Sequence, residues 1–171
     1  MENLNLKQRI SLLIFSFAAA AFGGWIYEEI CVYVLYGKLY NRGMLHLTLC
    51  PIYGFGAWGL YFLLHRIKST PLFFLLSVLI ASAFEYACSC LLEMLFHRSF
   101  WSYEGWLLSV NNRISLISSL IFGVLAVVFA KGIVPFFSKR IGRGRETVWF
   151  AVSLVIFAVI AGDFLLVLRS Y

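Results

Sequence analysis

The residues of this chain that could carry chemistry are a few acidic and basic side chains set among long apolar runs. Glu28, Glu85 and Glu93 lie inside or directly after such runs. An ionised carboxylate within a bilayer is costly unless it is paired, so carboxylates there are usually functional or paired. Arg42 and Arg113 flank apolar runs, and a guanidinium can bind carboxylate or phosphate through two parallel hydrogen bonds. These residues could bind a cation, relay protons or bind an anion, and structural ion pairing accounts for them equally well.

The spacing of the carboxylates decides which of them can face a bundle interior. Glu28 and Glu29 are adjacent, so on a helix they point about 100° apart and only one of them faces inward. We expect that one to be Glu28, and the alternative is that both are solvated at the membrane interface. Glu85 and Glu93 are eight residues apart, about 80° round a helix. With Ser89 they would form one polar stripe.

The stretch NRGMLHLTLCPIYGFGAWG, residues 41–59, combines a turn signal with a proline and closely spaced glycines. Inside a membrane protein, this combination marks a place where the backbone leaves regular helix or where helices approach closely. Asn41 and Arg42 form the turn signal, and Pro51 and Tyr53 follow it. We expect the functional site to be built here. The other predicted members of this polar cluster are Glu28, Glu85, Glu93 and Arg113.

The composition indicates that these residues are carried by membrane-embedded elements. Of the 171 residues, 62% are hydrophobic and only 13% are charged, whereas soluble domains carry about 25% charge. The formal charge of +6 comes from Lys and Arg in short segments between apolar runs. That distribution indicates membrane topology and attraction to anionic lipid headgroups, and argues against a nucleic-acid partner.

The apolar runs predict an all-α, polytopic membrane bundle of about five transmembrane helices, forming one domain over residues 1–171. The predicted spans are 10–36, 45–64, 71–96, 114–137 and 147–168. Pro51 interrupts the second span, so either the chain before it dips into the bundle without helix or the helix crosses with a kink. The aromatic loop 97–113 is expected to lie flat at the interface. Asp163 is expected to be interfacial.

The distribution of Lys and Arg predicts the orientation. The N-terminus and the segments 65–70 and 138–146 carry eight of them: Lys7, Arg9, Arg66, Lys68, Lys139, Arg140, Arg143 and Arg145. The remaining segments carry five: Lys38, Arg42, Arg98, Arg113 and Arg169. Because cytoplasmic segments are enriched in basic residues, the N-terminus is predicted inside. Asn41, Arg42, Glu28, Glu93 and Arg113 then share the outer end.

Several classes of site are excluded by motif. The sequence has no nucleophile elbow, no H-E-x-x-H, no Gly-Lys-Ser/Thr phosphate loop and no dinucleotide fingerprint. ATP hydrolysis would therefore need a separate subunit. The four cysteines form no C-x-x-C pair, so we expect free thiols, no metal site and no cofactor.

The motifs taken together resemble those of a bacterial membrane family, the ABC-transporter permeases of type IV (CmpB-like). They are GWxYE at 24–28, NRGxL at 41–45, CPIYGFG at 50–56, FEY at 84–86, LLExxF at 91–96, WxY at 101–103 and RIxL at 113–116. The resemblance implies an integral, permease-like protein of the bacterial cell membrane. Four positions depart from the family pattern: Leu47 and Thr48 replace Gly-Pro, Asn112 replaces Gly, and Ser109 replaces Asn.

The leading hypothesis is a permease-like transporter component whose polar cluster, near the outer side, binds a small or lipid-like ligand. One alternative is a membrane-embedded enzyme acting on lipid or isoprenoid phosphate. Another is a structural or sensor subunit that binds no ligand. The partners expected are membrane lipids, a separate ATPase or another membrane subunit, and a second copy of the chain.

Overall fold

All of the regular structure in the described part of the chain is helical. The computed structural model describes residues 4–38, 45–97, 99 and 101–170. No strand occurs among these residues, which form α1 (Leu6–Tyr36), α2 (Pro51–Leu64), α3 (Thr70–Phe96), α4 (Leu116–Val128), a π-helical turn (Phe129–Ile133), α5 (Val134–Arg143) and α6 (Glu146–Ser170). The predicted helical membrane fold is confirmed.

Four stretches of helix are long and apolar enough to cross a membrane: Leu6–Val34, Thr70–Leu95, Leu116–Arg143 and Glu146–Arg169. The third joins α4, the π turn and α5. The exception is α2, which has 14 residues and a length of about 21 Å, less than the roughly 30 Å of a bilayer core. The predicted second span at 45–64 is therefore helical only from Pro51 onward.

Local sequence explains where the helices begin and end. Asn5 accepts a hydrogen bond from the Gln8 backbone N–H at 3.0 Å, and Gln8 Oε1 accepts one from the Asn5 backbone N–H, a capping box that starts α1. Gly37 ends α1 in the left-handed region, with φ of 65°. Pro51 is the first residue of α2, where its missing N–H costs no helical hydrogen bond. Pro135 is the second residue of α5, two residues after the π turn ends at Ile133, and its missing N–H interrupts the ladder of helical hydrogen bonds there.

The described residues fall into two compact units, the first made of Met1–Trp58 and Lys131–Tyr171. In this unit α1 packs against α5 and α6. Ser11 Oγ lies 3.4 Å from Ser153 Oγ of α6. The ring of Phe15 packs against Phe137 of α5 and Trp149 of α6.

The second unit is Gly59–Ala130. In it α3 packs against α4, and Gly123 marks their closest approach, because a Cβ there would lie 2.5 Å from Val78. A core of Leu64, Phe73, Ala126 and Ala130 joins the end of α2 to these helices. The prediction of a single domain stays a prediction.

Candidate functional site

The start of α2 lies beside the middle of α1. The backbone N–H of Cys50 donates a 3.0 Å hydrogen bond to the carbonyl of Ala21. Ala21 is the middle residue of the 31-residue α1, about 22 Å from either end of that helix. A Cβ at Gly24 would come within 2.1 Å of the Tyr53 ring. The first turn of α2 thus packs directly on the α1 backbone.

From this point α2 runs antiparallel to α1. Tyr53 lies beside Tyr27, with ring centroids 6.0 Å apart, and Phe55 lies beside Phe17 at 4.9 Å, closer to the N-terminus of α1. Residues 45–50, which precede the helix, are non-helical. Leu45 and Cys50 in this segment are buried. Of the two alternatives for the second span, the structure shows non-helical chain entering the bundle ahead of Pro51.

The non-helical segment is anchored to α6 by one carboxylate. Asp163 Oδ2 accepts a 3.1 Å hydrogen bond from the Leu47 backbone N–H, and Oδ1 lies 2.9 Å from His46 Nδ1. The Asp163 side chain is only 11% exposed. No partner of Asp163 was predicted from the sequence. The available signal was an isolated acid within an otherwise apolar span.

Two carboxylates of α1 lie near the helix break. Glu28 Oε1 accepts a 2.6 Å hydrogen bond from the Tyr53 hydroxyl. Glu29 is also partly buried, and its Oε1 atom is closed off from solvent without a hydrogen bond to any of the described residues. Both acids are therefore partly withdrawn from solvent, whereas only Glu28 was predicted to face inward.

A second polar group forms where the loop after α3 folds against that helix. The Tyr103 hydroxyl donates a 2.7 Å hydrogen bond to Glu85 Oε1. Arg113 forms an ion pair with Glu93 and donates from Nη1 to Ser89 Oγ at 3.0 Å. All three members of the α3 polar stripe therefore contact the same loop.

The loop has its own internal hydrogen bonds. The backbone N–H of Tyr103 donates to the Asn112 carbonyl at 2.9 Å, and the Trp101 indole N–H donates to the Arg113 carbonyl at 3.1 Å. Asn111 and Asn112 both have positive φ, which asparagine adopts more readily than most residues. These contacts fix a compact fold for this stretch of the loop.

The depth of the loop differs from the sequence expectation. Glu85 lies eleven residues before the end of α3 at Phe96, about 16 Å along the helix. Since Tyr103 reaches Glu85, the loop extends back along α3. The aromatic residues of 97–113 had predicted a segment lying flat at the membrane interface. The difference arises because Glu85, Ser89 and Glu93 hold Tyr103 and Arg113 of the loop against the side of α3.

The charge state of the second group is set by its ion pair. The hydrogen bond to Glu93 raises the pKa of Arg113 above its already high ordinary value. Arg113 therefore remains cationic across the physiological pH range. The Arg113 guanidinium carbon also lies 5.9 Å from the centre of the Tyr86 ring.

The comparison with protein families agrees with the motifs. The family model described as "Putative ABC-transporter type IV" matches residues 15–168. This chain belongs to that family. The match covers all six helices in whole or in part, and it confirms the resemblance drawn from the motifs between residues 24 and 116. No curated protein and no solved structure gives a significant match.

In this type IV family member, the predicted site residues form separate contacts. The structure brings Glu28 together with Tyr53 in the first unit, directly after Pro51. In the second unit it brings Glu93 together with Arg113, whereas Glu85 contacts Tyr103. Asn41 and Arg42 lie outside the described residues. The convergence of the whole polar cluster on one site stays a prediction.

The described residues offer no obvious place for a metal ion. Within residues 4–38, 45–97, 99 and 101–170, no three His, Cys, Asp or Glu side chains are grouped closely enough to hold one. No disulfide joins the four cysteines of the described residues, Cys31, Cys50, Cys88 and Cys90.

Proposed function

We propose that this chain is the membrane-spanning component of a transporter in the bacterial cell membrane, and that the polar residues at the break before α2 bind its small or lipid-like ligand. The observation that carries this proposal is the position of the break. Helix α2 begins at Pro51, and the Cys50 N–H just before it is bonded to the middle residue of α1. Transporters commonly place substrate sites at such discontinuous helices.

The backbone at the break supports a functional role. Non-helical chain at membrane depth is tolerated only where it is buried in protein or lines a water-filled cavity. Here the segment 45–50 depends on Ala21 and Asp163 for its hydrogen bonds. A continuous helix would satisfy the same backbone groups by itself. The irregular segment is therefore best explained by a site that needs it.

The side chains at the break favour a ligand with a positive charge or several hydrogen-bond donors. Glu28 is held by Tyr53, whereas Glu29 Oε1 is closed off from solvent without a hydrogen bond to the described residues. A buried carboxylate oxygen in this state is destabilised until a donor or cation reaches it. An amine, guanidine or poly-hydroxyl group on the ligand would provide that donor.

The second polar group, in the second unit, is a separate candidate site. Glu85, Glu93 and Arg113 hold the loop after α3 against that helix. A ligand carrying carboxylate or phosphate would compete with Glu93 for Arg113, since a guanidinium binds either anion in the same way. Binding of such an anion at Arg113 would then release the loop from α3.

The proposal also includes the energy source for transport, which is ATP hydrolysis. The family description names an ABC transporter, and the chain has no phosphate-binding loop of its own. We therefore assign ATP hydrolysis to a separate subunit. The purified chain alone should hydrolyse no ATP, and a gain of hydrolysis on adding the ATPase subunit would support the pairing.

Mass spectrometry of small molecules retained by the purified protein tests the ligand site. The variants are Glu28→Gln and Glu29→Gln, and the matched control is Glu104→Gln, which removes the same charge from an exposed loop position. Glutamine at 28 can still accept the Tyr53 hydroxyl, so the fold is retained. We expect at least one retained species to be lost from both site variants and kept by the control. Identical retained species in all four proteins would reject the site.

A further inference from the structure

One face of α5 carries three cations and an aromatic ring in a single row. Phe136, Lys139, Arg140 and Arg143 are spaced three, one and three residues apart, which places them on the same side of a helix. Phe136, Lys139, Arg140 and Arg143 are all exposed. The opposite side of α5 packs inward, where Val134 and Ile141 are buried.

This row lines an open groove of about 620 Å³ where α5 meets α6. The lining residues are Phe136, Lys139, Arg140, Arg143, Gly144 and Trp149. A Cβ at Gly144 would lie 2.1 Å from Trp149 Nε1, so glycine is needed for the indole to lie over the connection between the helices. Phe15 of α1 packs edge-on against Trp149, with ring centroids 4.9 Å apart. The wall of the groove is therefore fixed by packing.

The charge of the groove is not neutralised by the described part of the protein. No carboxylate among the described residues forms a salt bridge with Lys139, Arg140 or Arg143. The nearby acid Glu146 is occupied by Asn5, whose Nδ2 donates to it at 2.6 Å, and by Lys7 at 3.8 Å. The groove thus presents to an incoming anion three cations that no described carboxylate neutralises.

The groove lies at the end of two candidate membrane spans. The first, Leu116–Arg143, ends and the second, Glu146–Arg169, begins with only two residues between them. The connection must therefore lie where the helices leave the hydrocarbon, at the level of the lipid phosphates. Arg and Lys there extend toward anionic headgroups, and Trp favours the same level.

We propose that this groove binds the phosphodiester headgroup of an anionic membrane lipid. The three cations complement its charge, and the volume falls in the roughly 300–1,000 Å³ range of small-molecule sites. The Arg140 guanidinium carbon lies 5.4 Å from the centre of the Phe136 ring, so stacking restricts the side chain before the lipid arrives. The indole N–H of Trp149 lies in the wall of the groove, where it can donate to a phosphate oxygen. The acyl chains would lie along the apolar surfaces of the spans.

Native mass spectrometry of the purified chain in detergent tests the proposal, with phosphatidylglycerol as the anionic probe and phosphatidylcholine as the zwitterionic one. The variant is Arg140→Gln/Arg143→Gln. The matched control, Arg66→Gln/Lys68→Gln, removes two cations from another loop. We expect wild type and control to bind phosphatidylglycerol in preference to phosphatidylcholine. The groove variant should bind phosphatidylglycerol more weakly by on the order of tenfold or more.

Two further measurements distinguish lipid binding in the groove from misfolding of the variant and from binding of a soluble anion. Arg140→Lys/Arg143→Lys retains the charges, so it should keep most of the binding and rule out misfolding as the cause of the loss. Soluble glycerol phosphate should not displace the lipid, and equal competition would overturn the proposal in favour of a soluble anion. Equal losses in the groove variant and in the Arg66/Lys68 control would also overturn it, because net charge alone would then explain the binding. An unchanged lipid preference in the groove variant would overturn it too, and would leave a protein partner as the occupant.

Discussion

Gly24 of α1 lies so close to Tyr53 of α2 that a Cβ on the glycine would come within 2.1 Å of the ring. Gly54 and Phe17 repeat the arrangement with the helices exchanged, at 2.6 Å. In lipid, helices gain little from hydrophobic association, so such close packing supplies much of their contact energy. The two glycines therefore hold the start of α2 on α1.

Gly24→Ala should destabilise the protein, because the new methyl group must displace the Tyr53 ring. The expected cost is roughly 1–3 kcal/mol, the usual range for overpacking. Gly23→Ala is the control, since a Cβ at Gly23 meets nothing within 4 Å and alanine favours helix. Thermal unfolding in detergent measures both. Equal melting temperatures for the two variants would show that the contact is not tight.

Asp163→Ala should loosen the segment before α2. The Leu47 N–H loses its acceptor, and hydrogen exchange at that amide should accelerate roughly tenfold. Asp163→Asn keeps an acceptor oxygen and should accelerate exchange much less. Exchange of the buried amide at Val167, one turn further along α6, should remain slow in both. Unchanged exchange at Leu47 in Asp163→Ala would mean that other groups hold the segment.

Tyr103→Phe should weaken the attachment of the loop to α3. It removes the hydroxyl that donates to Glu85, at an expected cost of about 1–2 kcal/mol for a partly buried carboxylate. Glu85→Gln retains a carbonyl acceptor for Tyr103 and should cost less. The free energy of unfolding, measured for each variant and for the wild type, gives the two losses. A larger loss in Glu85→Gln than in Tyr103→Phe would show that the charge of Glu85 matters more than this hydrogen bond.

Glu93→Gln and Arg113→Gln should show energetic coupling. The two side chains form an ion pair, so each single change should lower the melting temperature, and the double variant should lose less than the sum of the two. Glu104→Gln combined with Arg113→Gln is the reference pair, because Glu104 is an exposed loop residue. Additive losses for Glu93 and Arg113 would indicate that solvent screens the pair fully.

The sequence was sufficient for the parts of the fold that depend on local properties. Apolar runs predicted the four long spans, because hydropathy over 20 or so residues reports directly on the bilayer core. Pro51 predicted an interruption, and it is the residue at which α2 begins. The closely spaced glycines of residues 41–59 predicted a close approach of helices, and Gly54 provides one against Phe17 of α1.

The contacts of the candidate site depend on tertiary packing and were beyond the sequence. Leu47 and Asp163 are separated by 116 residues, and no local pattern pairs them. Tyr103 looked interfacial because its neighbours are aromatic. Its bond to Glu85 requires the loop to fold back along α3, which only the positions of its partners determine. Glu29 was set aside because adjacent helical positions diverge, yet the side chain is also partly buried.

The dependence of residues 45–50 on distant partners also bears on the order of membrane insertion. An ordinary span carries its own backbone hydrogen bonds and can enter lipid as soon as it is synthesised. This segment cannot, because Cys50 relies on Ala21 in α1 and Leu47 relies on Asp163 in α6. Residues 45–50 are synthesised early, but they reach their final position only after α6 has emerged from the ribosome. Until then the unpaired backbone groups of the segment favour water or the insertion machinery over lipid. The helices of this bundle therefore do not assemble in the order of the sequence.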